Sequence, residues 1–94
     1  MATKRVKVTY KKNLKLNGKP VWGYSDGKVL LLDTELRGKK HLEITNHELF
    51  HHLFPEMEEE EVERLSILVT NTLWHQGYRR PDNSNDIPLQ DGSR

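Results

Sequence analysis

Residues 41–77 read HLEITNHELFHHLFPEMEEEEVERLSILVTNTLWHQG, and the fold turns on how many helices this stretch contains. Apolar residues recur at helical spacing on both sides of Pro55, whose ring removes an amide donor and clashes with the preceding turn. The spacing predicts a first helix over about residues 40–54 and a second over about 58–76, with Gly77 as a natural stop. A connection this short, turning around Pro55 and Met57, folds the two helices back as an antiparallel hairpin.

Upstream, the pattern is that of strands. RVKVTY (5–10), VWGY (21–24) and KVLLLD (28–33) are rich in strand-forming residues, and NGK (17–19) and SDG (25–27) separate such stretches as turn signals. DTELRG (33–38) reads as a loop or single turn leading into the first helix. The expected class is α+β: a small antiparallel sheet of about three strands packed on a two-helix hairpin. One domain is expected over residues 1–78. RRPDNSNDIPLQDGSR (79–94) is polar with two prolines, so a largely disordered tail is expected there.

A chain of 94 residues buries a modest core, so a bound metal would add usefully to its stability. The absence of cysteine excludes disulfides and Cys-ligated zinc. No apolar run approaches a membrane span, and the first ten residues lack the apolar centre of a signal peptide, which together point to the cytoplasm. The net charge of +1 hides an asymmetry. Lys4, Arg5, Lys7, Lys11, Lys12, Lys15 and Lys19 precede any acid, whereas EMEEEEVE (56–63) carries six glutamates. The basic segment reads either as a nucleic-acid footprint or, more simply, as a solvated sheet face.

His47, Glu48 and His51 form HExxH. Residues four apart on a helix stand one turn above each other, so both imidazoles can address one ion. Zinc takes imidazole nitrogen at about 2.0–2.1 Å and, in a catalytic site, keeps one position for water. Its charge lowers the pKa of that water to about 7, so Glu48 is an adequate general base. Placement adds weight: Leu42, Leu49 and Leu53 make one apolar stripe, yet Ile44 and Phe54 flank the histidines on the other side. The helix is therefore expected to be covered on two sides.

Two histidines hold zinc poorly without a third protein ligand. The extended HExxHxxGxxH pattern fails, since Phe54 and Met57 occupy its glycine and histidine positions. The glutamate-rich start of the second helix is the next source. There Val62, Leu65, Val69 and Leu73 form the expected core stripe, and Glu60 and Glu61 share a polar sector with Arg64, Asn71 and His75. Glu63 heads a column with Ile67, Thr70 and Trp74, and is favoured as the third ligand. Glu59, close to Ser66 in phase, is the alternative.

His52 lies about 140° around the helix from His47, too far to share the ion easily, and reads as structural or solvated. His41 sits at the helix start, either bordering a cleft or at the surface. His75 and Tyr78 are candidate donors to an oxyanion formed at the attacked carbonyl. Asp33, Asn71 or a backbone carbonyl would suit the far nitrogen of a ligand imidazole. Trp22 and Trp74 read as core or edge packing.

HExxH followed by a helix bearing a glutamate resembles the gluzincin metallopeptidases. ERLSILVTNTLW (63–74) is similar to their glutamate-bearing second helix, in a form close to the ImmA/IrrE-type enzymes. Over about residues 28–79, LLLDTELRGKKHLEITNHELFHHLFPE and EEVERLSILVTNTLWHQGYR also resemble small HExxH proteins common in bacteriophages. The resemblance implies a minimal zincin-like hydrolase: a zinc metallopeptidase acting on a peptide or protein substrate, with His47, His51 and Glu63 as zinc ligands and Glu48 as the base. It also implies that a strand edge, if KVLLLD borders the cleft, holds an extended peptide. The chain differs from full-size gluzincins in having no substrate-binding subdomain and a very short connection between its ligand helices. The rival expectation is a non-catalytic module that binds nucleic acid or protein through its basic amino-terminal strand region, with zinc structural or absent.

Overall fold

The computed structural model describes residues 5–81. Most of the tail expected to be disordered, residues 82–94, lies outside that range. The order is β1 (Lys7–Lys11), β2 (Lys15–Leu16), β3 (Lys19–Pro20), β4 (Gly23–Ser25), β5 (Val29–Asp33), α1 (Gly38–Leu53) and α2 (Glu59–His75). The class is α+β as expected, but the three-stranded sheet is mixed, in the order β1-β5-β4. β4 and β5 form the antiparallel hairpin, Gly23 opposite Leu32, whereas β1 runs parallel to β5, Lys7 beside Val29. The central place of β5 has a burial cause. VLLLD is the most apolar strand, with Leu30 and Leu32 fully buried, and the centre of a sheet is where both strand edges are paired. KVTYK is exposed except at Tyr10 and takes the edge, where lysines discourage further pairing.

Between β1 and β4 the chain inserts the small β2–β3 hairpin. Its Asn17-Gly18 turn has φ of 55° and 80°, which a two-residue hairpin turn requires. Asp33, 7% exposed, fastens this region to the sheet: its carboxylate accepts the Leu14 amide at 2.9 Å and the Glu35 amide at 2.8 Å. Leu14 and Leu36 are thereby held in the core with Leu30, Leu32 and Val62. The β4–β5 turn is built the same way, Asp26 Oδ1 accepting the Lys28 and Val29 amides at 2.9 Å each.

The two helices form the expected hairpin, joined by a turn in which the Met57 amide donates to Phe54 O at 2.9 Å. The acids Glu59, Glu60 and Glu61 fill the first turn of α2, where the helix dipole favours negative charge. Gly77, at φ 94°, ends the helix. The Gly77 amide bonds to Trp74 O and the Tyr78 amide to Leu73 O, each at 3.0 Å, the paired bonds of a Schellman stop.

α1 packs between α2 and the β4–β5 hairpin. Every residue from His41 to His52 is at least partly covered, but Leu53 and Phe54, expected in the apolar stripe and beside the histidines, are about half exposed, at 52% and 49%. The approach of α1 to the sheet requires Gly23: a Cβ there would stand 2.9 Å from Leu32 Cδ2 and 3.2 Å from Ile44 Cγ2. The face of α2 turned inward is Val62, Ser66 and Thr70, rotated from the expected stripe of Val62, Leu65, Val69 and Leu73. Small hydroxyl side chains occupy this buried face, and both are hydrogen-bonded. Asn46 Nδ2 donates to Thr70 Oγ1 at 3.0 Å, and Ser66 Oγ donates to Glu63 O at 3.1 Å. Among the described residues, no helix is long and apolar enough to cross a membrane.

Candidate metal centre

The rotation of α2 decides which glutamate meets the histidines. Glu59 stands one turn before Val62 and seven residues before Ser66, so the inward column, extended toward the amino terminus, carries Glu59 to α1. Its Oε1 lies 2.9 Å from His51 Nε2 and its Oε2 lies 3.2 Å from His47 Nε2. Glu63, favoured from helical phase, is displaced from the ligand position: its Oε1 lies 3.7 Å from His47 Nδ1, on the opposite nitrogen of that ring. The group that can hold a metal ion is thus His47, His51 and Glu59. Glu63 stands behind the His47 ring, beyond hydrogen-bond distance of it.

The donor set, and two of its three separations, suit one ion. Ligand atoms about 2.0–2.1 Å from a tetrahedral zinc stand about 3.3 Å from one another, and the two imidazole–carboxylate separations are 3.2 and 2.9 Å. The rings, one helical turn apart, have centroids 4.8 Å apart and meet edge to face. Two imidazoles with one carboxylate is a borderline donor set that suits zinc better than calcium or magnesium, which prefer oxygen alone. His47 is the better shielded imidazole, its side chain 16% exposed against 31% for His51.

Glu48 lines the same cleft of about 660 Å³. Burial pushes its carboxyl pKa up, against the opposing pull of His47 and His51, and the Glu59 charge adds to the rise. A carboxylate raised above its ordinary range is a stronger base. The wall opposite α1 is strand β4, Gly23 to Ser25, with Leu16 of the β2–β3 hairpin at one edge. β5 is central and has no free edge, so the strand that could pair with an extended peptide beside the histidines is β4.

His52 also lines the cleft, a place that sequence reasoning did not give it, and its Nδ1 lies 3.1 Å from Ser25 Oγ. The available signal was its spacing of four from Glu48, which puts both on one helix face. The other candidates are engaged elsewhere. His41 Nε2 lies 2.7 Å from Tyr10 Oη, with the two rings stacked. His75 and Tyr78 are exposed and do not line the cleft. Asp33 serves the Leu14 and Glu35 amides, and Asn71 is exposed. Trp74 is half-buried beneath the Arg79 guanidinium, 3.5 Å from the ring centroid, and Trp22 is 46% exposed.

Comparison with protein-family models, with curated proteins and with solved structures finds no match.

Proposed function

We propose that this chain is a minimal zinc-dependent metallopeptidase of gluzincin-like character, with His47, His51 and Glu59 as ligands and Glu48 as general base. The observation that carries the reading is the Glu59 carboxylate bridging both HExxH imidazoles, at 2.9 and 3.2 Å, in a cleft that also holds Glu48. An ion held there would polarise a carbonyl and acidify water. The chain's own groups do the rest. The exposed edge of β4 would align an extended peptide by main-chain hydrogen bonds. Glu48 takes a proton from the attacking water and delivers it to the leaving amine nitrogen as the C–N bond breaks. Glu48→Gln is expected to keep the metal and abolish peptide cleavage; a variant that cleaves as well as the parent would overturn the mechanism.

A second reading rests on the amino-terminal surface. Arg5, Lys7, Lys11, Lys12, Lys15 and Lys19 are all exposed, an arrangement suited to phosphate contact. It would make the protein a nucleic-acid-binding module, with or without hydrolysis. Salt-sensitive binding to DNA or RNA would support this reading, and no binding at low salt would remove it.

A further inference from the structure

We infer that His52 is the donor that stabilises the oxyanion, held for that task by Ser25; the inference rests on the peptidase reading above. Ser25 ends β4 and His52 lies in the last turn of α1, and both line the cleft that holds His47, Glu48, His51 and Glu59. The pair joins sheet to helix directly, Ser25 Oγ to His52 Nδ1 at 3.1 Å.

The oxyanion role requires one tautomer of the ring. The Gly27 amide donates to Ser25 Oγ at 3.3 Å. The hydroxyl keeps its own proton, which in this role it donates to His52 Nδ1. A neutral imidazole that accepts at Nδ1 carries its hydrogen at Nε2. His52 thus presents an N–H, with its ring fixed through the opposite nitrogen. The fixing group is itself set by the β4–β5 turn, which Gly27 makes at φ 95° and Asp26 closes onto the Lys28 and Val29 amides.

Position gives this N–H its use. His52 follows Glu48 by four residues, so base and donor stand one turn apart on one helix face. As water oxygen bonds to the carbonyl carbon, the C=O electron pair moves onto oxygen. Nε2–H donates a hydrogen bond to that oxygen without giving up its proton. Glu48 takes the water proton and later returns it to the departing nitrogen, so the proton count closes without His52. A donor fixed before the charge forms costs little reorganisation, and removal of one such donor lowers kcat by about 10²–10³-fold.

Two measurements test the assignment. In metal-free protein, nitrogen-15 spectra of the His52 ring are expected to show the Nε2–H tautomer, and Ser25→Ala is expected to lose that bias. An Nδ1–H tautomer in the parent would overturn the inference. With zinc bound and melting temperature unchanged, His52→Leu is expected to lower kcat on a peptide by about 10²-fold or more, with KM nearly constant. His52→Gln, which retains an N–H, is expected to recover part of that loss, and Ser25→Ala to lose about tenfold. If Glu48→Gln abolishes cleavage while His52→Leu leaves kcat intact, the inference falls and the peptidase reading stands. If the zinc-loaded parent does not cleave, or Glu48→Gln cleaves normally, the peptidase reading falls and takes the inference with it.

Discussion

Acid should weaken this fold through His41, a residue outside the cleft. Its imidazole is packed against Tyr10 and bonded to the phenol at 2.7 Å. Burial first, and then the positive charges of Arg80 and Arg37, lower its pKa from 6.5 to about 4. The folded protein therefore keeps His41 neutral between pH 4 and 6.5, while the unfolded chain protonates it. The unfolded state binds more protons across that window, so stability rises with pH there. The contribution is complete above about pH 6.5, is lost as pH falls toward 4, and is flat below. A shift of this size corresponds to a ceiling of about 3 kcal/mol, since each pKa unit is worth about 1.4 kcal/mol. Solvent reaching the half-covered ring reduces that figure. Against a total of about 5 kcal/mol, ordinary for so small a domain, even half the ceiling is a large fraction. Urea unfolding of the parent and of His41→Gln from pH 4 to 8 isolates the effect, because other titrating groups are common to both. The parent is expected to lose more stability than the variant between pH 6.5 and 4. Parallel curves would refute the reasoning.

Two further perturbations test how the helices are seated. Asn46→Leu strands the buried Thr70 hydroxyl and is expected to cost about 1–3 kcal/mol, whereas adding Thr70→Val should recover much of the loss; denaturant titrations of the four-member cycle measure the coupling. Gly23→Ala places a methyl 2.9 Å from Leu32 Cδ2 and 3.2 Å from Ile44 Cγ2, so overpacking of about 1–3 kcal/mol is expected. A melting temperature equal to the parent's would mean that α1 is not pressed onto β4.

The helical hairpin was legible because Pro55 and Gly77 punctuate two strong periodicities, and HExxH because its spacing maps directly onto one helix face. What escaped the sequence depends on contacts between elements. The strand order β1-β5-β4 follows from which strand gains most by being central, a competition that no local pattern of RVKVTY expresses, and the parallel sense of β1 is likewise not written in that stretch. The choice of Glu59 over Glu63 depends on a modest rotation of α2. A reading that ranks positions by hydrophobicity counts Leu65, Val69 and Leu73 as the core and overlooks Ser66 and Thr70. Those small residues line the interface, where Asn46 supplies a partner for Thr70. The place of His52 in the cleft escaped as well, because an angle around the helix from His47 carries no information on Glu48 or on Ser25 of β4.

Zinc titration of protein purified without a histidine tag, comparing the parent with Glu59→Ala and Glu63→Ala, probes the convergence of His47, His51 and Glu59 most directly. One ion per parent chain is expected, with affinity reduced by at least about a hundredfold in Glu59→Ala, which loses a ligand, and by about tenfold in Glu63→Ala, which loses the carboxylate behind His47. A folded parent that takes up no zinc, or a Glu59→Ala variant that binds it as tightly as the parent does, would contradict the account.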